Sequence, residues 1–334
     1  MSTTKVLLTK KFFSQDIQYF RERLLPEVEL IDPEAYDDTT LCAHSKDVRV
    51  FLGGHFTEGM LKQATGLELI QIPWTGVDRL DFTLLRSTGA VVCNSHSNSG
   101  AVAEFSVALF LALLKKIAFH HDLLRQGNWN RPRPDQENPI SPFSPMLSSM
   151  TVGIMGHGAI GSKVRQLLRG FDCRFAILSG GRSASLDDES QVFQSPDGLH
   201  DFLAISDVVF VCLPLTDSTR GMLGPEAIGH MKKGSFVVNT ARGEIIDEAA
   251  LFEACSSRHL AGAAIDTWWK PVSAATPSYP ATLPFHTLDN VIMSSHRSGM
   301  VSGTLPHLDD AIANINRLVE GEPLLNQIDI TRKY

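Results

Sequence analysis

Apolar and polar residues alternate along this chain in two ways. Short apolar runs bounded by Gly, Pro, Asn or Asp read as buried strands; longer stretches with apolar residues at i, i+3 and i+4 read as helices. In the first 95 or so residues, strands are predicted at 5–9, 28–32, 48–54, 67–72 and 90–94. A helical stripe (Ile17, Phe20, Leu24) lies between the first two, with Ser14 as its expected N-cap, and a short helix is predicted at 60–64. Strands alternating with helices predict a parallel sheet. A long apolar helix is predicted over 101–126, bridging two domains, followed at 127–149 by a Pro-, Asn- and Ser-rich loop read as a partner contact. Further strands follow at 152–155, 175–179, 208–214, 235–240, 262–266 and 291–295, with helices at 226–231 and 248–256. A last helix, 309–319, stops at Gly321 and is expected to return to the first domain. The predicted fold class is α/β, with two Rossmann-like domains built on parallel sheets.

One stretch gives the second half its chemistry. The strand at 152–155 runs into Gly156-His157-Gly158-Ala159-Ile160-Gly161, and then into the helical pattern Val164, Leu167, Leu168. Between a strand and a helix, the first glycine permits a tight turn and the second lets a pyrophosphate approach the backbone. The third lets helix and strand pack closely, while the helix N-terminus offers N–H groups to phosphate.

Composition narrows the class. The 334 residues suit two domains, and 43% hydrophobic with 20% charged residues is a globular balance. No apolar run is long enough to span a bilayer, and a net charge of −7 argues against a nucleic-acid or anionic-membrane surface. Five scattered cysteines without a Cys-x-x-Cys pair, and an N-terminus without an apolar signal core, predict reduced thiols and a cytoplasmic protein.

Three more candidates stand at predicted strand ends, where open α/β sheets hold ligands. Arg242, in Asn239-Thr240-Ala241-Arg242-Gly243, is suited to grip a carboxylate through two parallel N–H bonds, or else caps a loop. Asp266 can accept from a nicotinamide carboxamide or cap a turn. His296 has the side chain that proton transfer near neutral pH requires, though a lone histidine is also commonly structural.

Together these pieces resemble the D-isomer-specific 2-hydroxyacid dehydrogenases. The likeness runs through Trp74-Thr75-Gly76-Val77-Asp78, 98–104, the glycine turn, Leu213-Pro214-Leu215-Thr216, 239–243, 261–266 and the stretch at His296. It implies a flavodoxin-like substrate domain, 1–97 with 300–334, and a dinucleotide-binding domain, 98–299, with the active site in the cleft between them. It also implies a homodimer and a small anionic substrate. Arg242 would orient a 2-keto acid and His296 would exchange its proton, while Trp74 and the N–H groups of Thr75 and Gly76 would hold the substrate. The cofactor would lie along the glycine turn, including His157, Ala159 and Ile160. Val102, Leu213, Pro214, Thr219, Thr240 and Ala241 would complete its lining, with Asp266 fixing the nicotinamide.

The chain departs from that pattern twice. Where most of the family carries a glutamate that bonds the catalytic histidine, the sequence Asp266-Thr267-Trp268-Trp269-Lys270 places a lysine; Glu244 and Asp289 are the candidate substitutes. The change predicts a His296 that titrates near the ordinary ~6.5, so that keto-acid reduction fades above that pH. Trp268 and Trp269 are read either as an apolar wall or as core. Second, the strand at 175–179 ends in Ser179-Gly180-Gly181-Arg182 rather than in an acid, which favours NADP(H) over NAD(H). Two alternatives stay open: a dehydrogenase of another small anion (formate, phosphite or a phosphonate), and a nicotinamide-binding regulator without turnover.

Overall fold

The computed structural model describes residues 3–129, 131, 143–180, 190–270, 272, 276–302 and 305–334. They group into two compact units, Met1–Asn98 with Val301–Tyr334, and Ser99–Met300.

The first unit begins β1 (Thr4–Leu8), α1 (Ser14–Arg23), β2 (Val28–Ile31), α2 (Asp38–His44) and β3 (Val50–Leu52). It continues α3 (Glu58–Gln63), β4 (Leu69–Gln71), α4 (Phe82–Arg86) and β5 (Val91–Cys93). The strands pair in parallel in the order β2-β1-β3-β4-β5, the flavodoxin-like arrangement. Ser14 is the first helical residue of α1 rather than its cap; Asp16 reaches back to accept the N–H of Phe13. Helices α2 and α4 escape the sequence pattern because one or two turns are too short to display a period. Their starts are fixed instead by Asp37 and Asp81, whose carboxylates each accept two backbone N–H groups of the first turn.

The second unit opens with α5 (Ser99–Leu114) and α6 (Ile117–Arg125). The single helix expected over 101–126 is therefore two. The break falls at Lys115–Lys116, where Lys116 takes a left-handed φ of 51°, and no glycine or proline marks it. Helix α5 is apolar on most sides because it lies against the sheet of its own unit: Phe110 sets its edge on Phe210 and Phe236, with ring centroids 5.4 and 6.0 Å away. The partner-contact expectation for 127–149 falls largely outside the described residues.

Next come β6 (Thr151–Met155), α7 (Ala159–Leu168), β7 (Arg174–Ser179), β8 (Gln191–Gln194) and α8 (Leu199–Ile205). They are followed by β9 (Val208–Val211), α9 (Pro225–His230), β10 (Ser235–Asn239), α10 (Glu248–Ser256), β11 (Leu260–Ile265) and β12 (Val291–Met293). All pair in parallel in the order β12-β11-β10-β9-β6-β7-β8. Strand β8 is Gln-Val-Phe-Gln and mostly exposed, so its apolar run is only two residues and an apolar-run criterion misses it. The order reverses between β6 and β9, the crevice where doubly wound sheets take ligands. The chain closes with α11 (Asp309–Glu320), which, with Leu308 just before it, packs through Ala311, Ile312 and Ile315 on β1, β3 and α1 of the first unit and ends at left-handed Gly321.

Candidate active site

The glycine turn sits at the reversal point of the second sheet. The N–H of Gly156 bonds Leu178 O, 2.8 Å away, and that of Cys212 bonds Met155 O, also 2.8 Å away, so the ends of β6, β7 and β9 are laced together. Gly156 has φ +91°, and a Cβ there would stand 2.9 Å from both Cys212 O and the side chain of Leu213. A Cβ on Gly161 would lie 2.0 Å from Gly156 O. Both glycines are demanded by the fold itself. Gly158 differs, since a Cβ there would meet nothing within 4 Å. Beside it, Nε2 of His157 is shut off from solvent and, among the described residues, has no hydrogen-bond partner. Burial, and then the charge of Arg165, push this imidazole below its ordinary pKa. A buried donor-acceptor with nothing to meet, a glycine facing open space and the N-terminus of α7 together fit a bound dinucleotide.

The other residues predicted to line a cofactor sit on α5, on α7, at the end of β7 and in the loops after β9 and β10. Ile160 packs into the core under α7, and Val102 is buried on α5, where its carbonyl accepts the Ser106 hydroxyl at 2.6 Å. The same hydroxyl meets Thr240 Oγ1 at 2.8 Å, which ties α5 to the end of β10. Thr219 is buried and folds the loop after β9: its Oγ1 donates to Pro214 O at 2.7 Å and accepts the N–H of Thr216 at 2.8 Å. Ser179 ends β7 as a buried residue, and Arg182 lies outside the described residues.

Arg242 and His296 are carried by two loops that dock on one turn, residues 266–269. On the arginine side, Asn239 braces the loop, donating from Nδ2 to Arg242 O (2.8 Å) and accepting the Ala241 N–H (3.1 Å). The guanidinium Nη1 donates to Ala241 O at 2.7 Å. Gly243 then presses on the turn: a Cβ there would stand 2.5 Å from the Trp268 carbonyl carbon. The Trp269 indole N–H donates to Ile246 O at 2.8 Å, just beyond.

On the histidine side, the Asp266 carboxylate gathers the loop after β12. Its Oδ1 accepts the Ser294 hydroxyl at 2.6 Å and the Arg297 N–H at 2.8 Å, and its Oδ2 accepts the Ser298 N–H at 3.0 Å. The His296 N–H reaches Asp266 O at 3.0 Å, and the Trp268 indole N–H reaches Ser294 O at 2.7 Å. His296 itself is exposed and held at a left-handed φ of 57°. That conformation costs energy for a non-glycine residue, and it turns the next two N–H groups onto one anion, a small backbone nest. Burial alone would raise the Asp266 pKa, but the hydrogen bonds from Ser294, Arg297 and Ser298 outweigh it and hold the carboxyl below its ordinary value.

In the first unit, the Trp74–Gly76 loop follows β4. Thr75 Oγ1 donates to Ser95 O at 2.9 Å, and Asn94 Nδ2 donates to Thr75 O at 2.7 Å. Among the described residues, the N–H groups of Thr75 and Gly76 enter no hydrogen bond. The Trp74 ring packs over Gly54, where a Cβ would come within 2.7 Å of it, and carries the Lys10 ammonium 4.7 Å from its centroid.

Comparison with known proteins gives the family to which this fold belongs. The family profile described as "D-isomer specific 2-hydroxyacid dehydrogenase, NAD binding domain" matches residues 107–298. The chain belongs to the D-isomer-specific 2-hydroxyacid dehydrogenase family. It is 29% identical over 307 residues to a glyoxylate reductase of Aeropyrum pernix, covering 91% of this chain and 89% of that one. It is 32% identical over 283 residues to the mitochondrial formate dehydrogenase 2 of Oryza sativa, covering 84% and 71%. A D-isomer specific 2-hydroxyacid dehydrogenase from Xanthobacter autotrophicus Py2, solved with NADPH and MES, superposes over 100% of both chains with a TM-score of 0.78 at 25% identity. Members of this family are NAD(P)-dependent dehydrogenases acting on CH–OH groups, and this chain is an oxidoreductase of that class.

For a 2-hydroxyacid dehydrogenase, the substitution at Lys270 has a plain structural setting. Lys270 is exposed, and its backbone N–H bonds Pro280 O at 2.9 Å. Asp289 forms an ion pair with Arg258 at the surface. Trp268 and Trp269 form neither a wall alone nor plain core: Trp269 stacks on Phe285 (5.4 Å), while both indole N–H groups tie loops. Sequence reading missed Gly243, Ser294, Ser106 and the indole donors. Their roles arise from partners 23 to 134 residues away, so no local pattern marks them.

Proposed function

We propose that this dehydrogenase interconverts a small 2-keto acid and its 2-hydroxy acid, using NADP(H) in preference to NAD(H). Arg242 binds and polarises the substrate, and His296 is the acid–base. The observation that carries the reading is the docking of the Arg242 and His296 loops on the single turn 266–269, which holds a cation and a proton donor in fixed relation. When bound, the nicotinamide supplies hydride to C2 of the keto acid, or takes it from the hydroxy acid. The glycine turn, with His157 Nε2 and the N-terminus of α7, would hold its pyrophosphate. Leu213, Pro214, Thr240 and Ala241 would line it. The carbonyl oxygen gains negative charge in reduction, and the Arg242 guanidinium stabilises that charge while His296 delivers a ring proton to the oxygen. The N–H groups of Thr75 and Gly76, with Trp74 beside them, would hold the substrate carboxylate.

The NADP(H) preference is supported by the absence of an acid after Ser179 and by Arg182 three residues on. Exposed Ile117 and Leu124 on α6 support a homodimer, and five free cysteines support a cytoplasmic setting. The likeness to a formate dehydrogenase keeps a second small-anion substrate in view. A panel of glyoxylate, hydroxypyruvate, pyruvate, formate and phosphite, run with each cofactor on wild type, Arg242→Ala, His296→Asn and Arg182→Ala, tests all parts. Keto-acid turnover with NADPH that collapses in the first two variants is expected. Turnover confined to formate or phosphite would replace the substrate assignment. A wild type preferring NADH would remove the cofactor assignment, and nucleotide binding with no turnover would make the chain a regulator.

A further inference from the structure

Helices α8 and α9 lie side by side over one face of the seven-stranded sheet. Their inner faces are apolar, Phe202 and Leu203 of α8 sharing one core with Ala227 and Ile228 of α9. That packing fixes what the outer faces present. Glu226 and His230 are four residues apart on α9 and so fall on one side of it. His200 stands in the first turn of α8. The imidazoles of His200 and His230 are stacked, with centroids 3.9 Å apart and planes within 13° of parallel. A ligand atom from each of His200, Glu226 and His230 lies within 4.8 Å of the other two. Glu226 and His230 are exposed, His200 is half-buried, and none of the three side chains makes a hydrogen bond or ion pair among the described residues.

We propose that His200, Glu226 and His230 form a binding site for a divalent transition-metal ion, Zn²⁺ first among them, which clamps α8 to α9. Two imidazole nitrogens and one carboxylate oxygen are a donor set for Zn²⁺ and its neighbours. Mg²⁺ and Ca²⁺ call for oxygen ligands throughout. Zinc ligands at about 2.0–2.2 Å from the ion stand roughly 3.3 Å from one another in a tetrahedron. Closing the present spacing calls for rotation of the exposed Glu226 and His230 side chains toward half-buried His200, while the apolar faces hold the helices in place. Three protein ligands leave the fourth position to water. The two rings are near-parallel, so their in-plane lone pairs run alongside one another, and each imidazole turns to aim its nitrogen at a shared ion. The site belongs to the cofactor unit's fold and takes no part in hydride transfer. Since the ion binds only when both helices are docked, it stabilises the folded unit by mass action.

The test uses the full chain stripped of metal with a chelator. It is titrated with Co²⁺, followed by visible absorption, and with Zn²⁺ in competition with a chromophoric chelator, with Mg²⁺ as the control. One equivalent of Zn²⁺ and of Co²⁺ should bind, the cobalt form should show the intense band of a four-coordinate site, and excess Zn²⁺ should raise Tm by several degrees. His200→Ala and His230→Ala should each abolish these changes, and Glu226→Gln should weaken binding. On wild-type protein, Zn²⁺ should protect His200 and His230 from diethyl pyrocarbonate, a readout that needs no variant to fold. Equal Zn²⁺ binding in the His200→Ala/His230→Ala double variant, no Zn²⁺ uptake above the Mg²⁺ control, or undiminished modification of both histidines would overturn the proposal.

Discussion

Two turns at the ends of strands in the same unit are built on opposite principles. The turn after β6 is made by its own residues: Gly156 adopts φ +91°, and Gly161 brings α7 so close that a Cβ would fall 2.0 Å from Gly156 O. The loop after β12 holds a histidine at φ 57°, but what holds it there is Asp266, some thirty residues earlier, with Trp268 beside it. One conformation is dictated by the absence of side-chain atoms and the other by the presence of a distant acceptor. The first kind can be read locally and breaks sterically. The second is invisible locally and breaks electrostatically.

The sharpest way to break the contrast is Gly161→Ala, because the obstacle is backbone and cannot swing aside. We expect a loss of about 3 kcal/mol or more in urea denaturation, together with loss of nucleotide binding. A well-folded, nucleotide-binding Gly161→Ala would mean that α7 is free to shift.

Asp266→Asn comes next. Three donors lose an anionic acceptor in a buried place, for an expected cost of about 2–3 kcal/mol and a fall in kcat as the His296 loop loosens. The sign of its pH dependence follows from the depressed carboxyl pKa. The stabilisation from Asp266 is fully present above the unfolded value of about 3.9 and is lost as pH falls through the lower folded value. Urea midpoints of wild type and variant should therefore converge only below about pH 4. A gap that stays constant down to the acid transition would show that the charge is not what holds the loop.

Trp268→Phe removes a single tie, the indole N–H to Ser294 O, and should cost about 1 kcal/mol. Its kcat should fall with little change in KM for the nucleotide. An unchanged kcat would leave Asp266 as the loop's sole anchor.

The smallest effect on stability belongs to Gly158→Ala. Its Cβ meets no protein atom within 4 Å, so stability should stay within about 0.5 kcal/mol while affinity for NADP⁺ drops. Unchanged affinity would show that no phosphate approaches the backbone at that point.

The comparison also marks what was legible. The strand ladder of both sheets follows from apolar runs, since a strand buried on both faces leaves a continuous signal. The glycine turn, Arg242 and His296 were all visible as residues at strand ends. The split of the long helix at Lys116 was not, because no helix breaker stands there. Nor was β8 with its two apolar residues, nor short α2 and α4. The sequence offered Asp266 as a nicotinamide contact or a turn cap; in this structure its carboxylate accepts the three donors that shape the histidine loop. That arrangement depends on β11 and β12 being neighbours, with Ala263 opposite Val291.

By itself the sequence determined the α/β class, the strand–glycine turn–helix unit and the residue types available for chemistry. These depend on local sterics and on periodic burial, which are properties of neighbours along the chain. Only the tertiary structure decided that residues 266–269 hold both the Arg242 and the His296 loops, and that His200 meets Glu226 and His230. Those pairings depend on which strands and helices become adjacent, and a hydrogen bond between distant residues leaves no periodic trace in either partner.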